Sequence, residues 1–206
     1  MDNKILVSSR NIVINEALEK VDNDIKAQGY APKDAIHIRL LAEEAMGMLK
    51  AMAGNYTAMI WIEKNGNEAN VNISAKTDGI NYETKKELIA VSTSGKNASS
   101  KGFMGKLGEL IENNLLNREA MLDVEQEYGS GYITDVQDDE SSDLMMAWSL
   151  SEYRKSLRES GNNGTDNEEK RDILEKSIVA KLAKDVVVGV KKDKVDMTMR
   201  MELTGK

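Results

Sequence analysis

Three short stretches of this chain carry side chains whose types and spacing could do chemistry. The first, Arg39-Leu-Leu-Ala-Glu43-Glu44-Ala-Met-Gly-Met48, sets a cation and two carboxylates on a helical repeat. Its ordinary alternative is an amphipathic helix whose acids simply face water. The second, Ile73-Ser-Ala-Lys-Thr77-Asp78-Gly79-Ile-Asn81, brings an Asp-Gly pair to the end of an alternating segment, where a plain turn is the competing explanation. The third runs from Ser94-Gly95-Lys96-Asn97 through Lys101-Gly102 to Gly105 and Gly108. Free backbone N–H groups at a helix start, with two lysines beside them, form an anion cradle. This loop lacks the Walker pattern, because Ser100 stands five residues before Gly105 and Leu107 follows Lys106. Glycines at every third position could equally let a helix pack close to a neighbour.

Several chemistries are excluded outright. With no cysteine and only His37, the chain can form no disulfide, thiolate zinc site, cysteine nucleophile or histidine-rich metal site. Any metal would need oxygen ligands. His37 has no partner pattern for catalysis, and Gly129-Ser-Gly131 lacks the third glycine of a dinucleotide fingerprint. The formal charge is −7, and between Arg118 and Arg154 acids accumulate without a single Lys or Arg. Such a surface repels phosphate backbones, so nucleic acid is not an expected partner. The opening residues lack the apolar core of a signal peptide, and no stretch is apolar enough to span a bilayer. A cytoplasmic protein with no membrane partner is the expectation.

The elements that must position these residues are legible from periodicity. Ile14, Leu18, Val21 and Ile25 predict a helix over 11–28, closed by Gly29, after a short strand at 4–8. Ile38, Leu41, Ala42, Ala45, Leu49 and Met52 predict a second over 33–52, opened by Pro32. Strands follow at 56–63 and 68–76 around an Asn65-Gly66 turn, and a second hairpin pairs 186–190 with 195–203 around Lys191–Lys194. Further helices are predicted near 83–92 and over 102–116, 143–158 and 168–184. In the strand at 68–76, Ala69, Val71, Ile73 and Ala75 alternate with polar residues; in the last strand, Met197, Met199 and Met201 do so. Alternation means one wet face and one buried face. The expected fold is therefore α+β: a two-layer α/β sandwich with a mixed, mainly antiparallel sheet and helices on one face. Asn70 and Asn72 should then avoid burial beneath helices, and the many methionines serve as adaptable core filler. A single domain over 1–206 is expected, with an acidic insertion or loop at about 119–142 and a flexible linker at 159–168.

The order of these features resembles the histidine-kinase-type (GHKL) ATPase fold, nearest to its small anti-sigma-factor serine-kinase branch. The resemblance lies in Arg39-x-x-x-Glu43-Glu44 on a helix, a hairpin ending in Asp78-Gly79-Ile80, a glycine/lysine loop opening a helix, and a terminal hairpin. It spans roughly residues 10–116 and 170–203. By that resemblance Glu44 is the general base or water-orienting glutamate. The family's Mg²⁺-binding Asn falls at Met48, whose thioether cannot replace a hard oxygen ligand, so no metal residue is assigned and Mg²⁺ is not expected. ATP or ADP is the implied ligand, with Thr77, Asp78, Gly79 and Asn81 at the adenine motif and Ser94, Gly95, Lys96, Asn97, Lys101 and Gly102 as the lid. Thr77 stands where the family has the aspartate that accepts from the adenine amino group, and Asn81 where it has the second glycine. The resemblance implies a catalytically degenerate protein with a regulatory role and a protein partner. An active anti-sigma-factor-type protein-serine kinase is the alternative. A ligand-free scaffold that docks through the acidic segment and the helix at 143–158 is a third reading.

Overall fold

Alternation dictates the sheet. In the computed structural model, which describes residues 3–53, 55–77, 146–159, 165–191 and 193–204, six strands form one open sheet. They are β1 (Ile5–Ser8), β2 (Tyr56–Asn65), β3 (Glu68–Thr77), β4 (Met146–Ser149), β5 (Asp185–Lys191) and β6 (Lys194–Glu202). The spatial order is β1-β2-β3-β6-β5-β4, and every described pairing is antiparallel. The late hairpin β5–β6 thus inserts beside β3, near the middle of the sheet. Among the described residues the helices are α1 (Asn11–Ala27), α2 (Pro32–Ala53), α3 (Leu150–Glu159), α4 (Thr165–Lys176) and α5 (Ile178–Leu182). The fold class is α+β, as expected, with no parallel pair among the described strands.

One face of the sheet builds the core. Ile60, Ile62, Val71, Ile73, Val188, Met197 and Met199 join Val21 and Ile25 of α1 and Ile38, Leu41, Met48, Leu49 and Met52 of α2 in a single buried cluster. Each such fully buried side chain contributes roughly 1.5–3 kcal/mol relative to exposure. The methionines Met46, Met48, Met52, Met197, Met199 and Met201 are all buried. Gly29, with φ of 69°, sits just beyond the α1 C-cap and donates its N–H to the Lys26 carbonyl, a conformation glycine adopts without a Cβ penalty.

α2 lies across the sheet with a defined direction. Its C-terminal end feeds β2 through a two-residue connection, and the Tyr56 hydroxyl reaches back to the Met46 carbonyl at 3.4 Å. At its other end the Asp34 carboxylate accepts from the backbone N–H and hydroxyl of Thr204, just past β6. The C-terminal half of α2 therefore sits toward the sheet end where β2 begins and β3 ends.

Several boundaries differ from expectation, among them the last hairpin, where Lys191 pairs with Lys194 and leaves two residues, not four, for its turn. The helix expected over 143–158 begins at Leu150, because Met146–Ser149 pairs with β5 as a strand. Ser149 and Glu152 mark that start: Ser149 Oγ accepts from the Glu152 N–H, and Asp185 accepts from the Ser151 N–H at 2.9 Å. The helix expected over 168–184 is two helices broken at Ser177, whose hydroxyl caps α5 by accepting from the Ala180 N–H. The linker expected at 159–168 is shorter, since Glu159 ends α3 and Thr165 opens α4. In the first hairpin Asn65 pairs with Glu68, so Gly66 (φ of 60°) and Asn67 form the two-residue loop rather than Asn65-Gly66. The helices expected near 83–92 and at 102–116 and the acidic stretch at 119–142 lie outside the described residues.

Candidate functional site

The helix α2 separates its two neighbouring acids. Glu43 faces outward and accepts from Arg39 Nη1 at 3.0 Å, while Arg39 Nε reaches Asp22 of α1 at the same distance. This is the solvated, ion-paired face that the ordinary reading anticipates. Glu44, one position on, is turned toward the protein: its Oε2 is buried and has no hydrogen-bond partner among the described residues. Burial raises its pKa above 4.5, and the neighbouring Glu43 charge raises it further. A carboxylate held without a partner in a partly dry place is poised to take a proton.

One turn beyond, Met48 is fully buried. Its sulfur belongs to the core cluster with Leu49 and Met52. A thioether there cannot hold Mg²⁺, so the residues present do not fit the metal that the resemblance would bring. Among the described residues no three or more His, Asp or Glu side chains gather as a metal site requires.

Thr77 ends β3 beside the β5–β6 turn. Its N–H donates to the Asp193 carbonyl at 2.7 Å and its hydroxyl donates to the same oxygen at 3.2 Å. The residue is buried, so this double bond to one carbonyl fixes where the chain leaves the sheet. Asp78, Gly79, Asn81, Ser94, Gly95, Lys96, Asn97, Lys101 and Gly102 lie outside the described residues.

At this same sheet end a cleft of about 680 Å³ opens between β1, β2 and β3, with Ser8, Ser9, Arg10, Thr57 and Lys76 on its walls. Sequence reasoning missed it, because Arg10 and Lys76 are far apart in the chain and come to line one cleft only through strand register. Tyr56 also lines it, and burial pushes its phenol up to about 12, which keeps it a proton donor at any ordinary pH.

Fold and site together define the class as an α+β protein with an open six-stranded antiparallel sheet, helices over one face and, on α2, a carboxylate oxygen without a partner among the described residues. No family model, no curated protein and no solved structure matches the chain. No described helix is long and apolar enough to cross a membrane.

Proposed function

We propose that this chain is a histidine-kinase-type ATPase-fold protein that has lost ATP chemistry and serves as a regulatory, partner-binding domain, with its lid still holding a phosphate-bearing ligand such as ATP or ADP. The observation that carries the reading is Met48: it is sealed in the core one helical turn after Glu44, where the resemblance requires an oxygen ligand for Mg²⁺. Without the metal, the charge developing on a transferring phosphoryl group is not neutralised. Thr77 offers a hydroxyl where the family offers a carboxylate, which weakens recognition of an adenine amino group.

One observation favours the active alternative, an anti-sigma-factor-type protein-serine kinase. Glu44 combines a buried oxygen with a raised pKa, the condition of a general base. The test separates the two. Melting temperatures are measured against ADP and ATP with and without Mg²⁺, alongside ATP turnover. The degenerate reading expects ligand-induced stabilisation indifferent to Mg²⁺ and negligible hydrolysis. Turnover of ordinary enzyme size, roughly 1–1000 per second, refutes it. If Glu44→Ala then abolished that turnover, the kinase reading would stand in its place.

A further inference from the structure

We infer that the cleft between β1, β2 and β3 is a binding site for a small phosphate-bearing anion held by Arg10 and Lys76, an inference independent of the family resemblance. In a chain of 35 acids against 28 bases, the described residues of its walls include two cations, Arg10 and Lys76, and no carboxylate. Ser8, Ser9, Thr57 and Asn55 supply neutral donors between them. The volume, about 680 Å³, lies in the range of small-molecule sites.

Register makes the placement of charge costly unless it is used. Ser8 pairs with Thr57, Thr57 with Lys76 and Lys76 with Lys194, so the hydroxyls and the two lysines stand in one row across β1, β2, β3 and β6. Lys191 holds the next backbone position in that row. Like charges directly opposite on neighbouring strands repel. The counter-charges are exposed and local: Asp193 lies 3.6 Å from Lys76, and Asp196 lies 3.0 Å from Lys194. Solvated pairs of this kind contribute little. Arg10 forms no ion pair among the described residues. Arg10 also caps α1, which has no side-chain cap and no acid in its first turn, so the helix field adds to the positive potential at that wall.

The chemistry this set recognises is a compact oxyanion with several acceptor oxygens. Arg10 supplies a planar fork, Lys76 a mobile point charge and the hydroxyls short-range donors. A mono- or diphosphate group satisfies all three, whereas a carboxylate would leave several donors without acceptors.

Inorganic pyrophosphate is the probe, titrated at constant ionic strength while the melting temperature of the full chain is followed. Wild type should melt progressively higher as pyrophosphate rises, by mass action on the folded state. Arg10→Ala with Lys76→Ala should weaken the apparent affinity about tenfold or more, with the unliganded melting temperature nearly unchanged because both side chains are solvated. Lys96→Ala with Lys101→Ala should leave the effect intact, which keeps this outcome distinct from the fate of the lid. A control pair, Lys20→Ala with Lys33→Ala, removes the same charge elsewhere and should also leave it intact. Absence of stabilisation in wild type, its persistence without Arg10 and Lys76, or its loss in the control pair overturns the inference.

Discussion

Replacing Glu44 by glutamine should stabilise the protein at neutral pH and lose that advantage in acid. The carboxyl has one buried oxygen with no partner among the described residues, and its pKa is raised first by burial and second by Glu43. Between the unfolded value near 4.5 and the raised folded value, the native state binds more protons than the unfolded chain. Stability attached to this group is therefore fully present below about 4.5 and is lost as pH rises through the folded pKa. Glutamine keeps the shape and removes the charge. A buried, unsatisfied polar or charged oxygen costs roughly 1–3 kcal/mol, and discounting for a side chain that keeps some access to solvent leaves about 1 kcal/mol. For a chain of this size that is roughly 2–4 °C in melting temperature. Urea denaturation of wild type and Glu44→Gln at about pH 7 and about pH 4 reads the difference directly. A variant no more stable than wild type at neutral pH, or equally favoured at both, would show that Glu44 is an ordinary surface acid. The expected result identifies a carboxylate kept against the interest of the fold, which is how functional groups betray themselves.

Two further substitutions bear on the frame around the site. Asp185 is buried and accepts from the Ser151 and Val186 N–H groups and the Ser149 hydroxyl, so Asp185→Ala strands donors at the start of α3. It should cost about 3 kcal/mol and lower the melting temperature by roughly 6–12 °C, and calorimetry checks it. Met48→Asn should cost roughly 2–4 kcal/mol by placing an amide in the apolar cluster without restoring hydrolysis, and wild-type stability with new Mg²⁺-dependent turnover would show that position 48 opens onto a polar pocket.

The parts of the fold that were legible in sequence are those with one clean period. Ile38, Leu41, Ala42, Ala45, Leu49 and Met52 define α2, and the alternating Met197, Met199 and Met201 define β6, because a single buried face imposes one spacing. The strand β4 was hidden by coincidence: Met146, Leu150, Tyr153 and Leu157 continue a helical spacing across Ser149, where the chain changes from strand to helix. The capping box Ser149-x-x-Glu152 was the signal that locates the change. At the site, a linear pattern could not separate Glu43 from Glu44, since the difference is about 100° of helix rotation and depends on what α2 packs against. The cleft was beyond reach for a stronger reason. Arg10 and Lys76 come to line one cleft only after β1 pairs with β2 and β2 with β3, which is information about register and not about sequence.

The face opposite the helices explains how that register is held. Asn70 and Asn72 are buried, at 5% and 6% exposure, although strand alternation points them away from α1 and α2. Asn72 has partners on both neighbours: it donates to Glu63 of β2 at 3.1 Å and accepts from the Thr198 hydroxyl of β6 at 2.9 Å. Trp61 donates to the other oxygen of Glu63, and the Lys4 ammonium sits 4.8 Å over the Trp61 ring. A polar chain thus ties β2, β3 and β6 through directional contacts, with Lys4 at the entry to β1 resting on it. The apolar face cannot do this alone, because Met197, Met199 and Met201 are adaptable and would tolerate neighbouring positions. A one-residue slip of β6 would carry Thr198 to the wrong face and leave Asn72 buried without its donor, a loss that shape-tolerant methionines could not offset. Since the same register sets Lys76 beside Thr57 and Lys194, the specificity of the polar face is also what assembles the cationic end of the sheet.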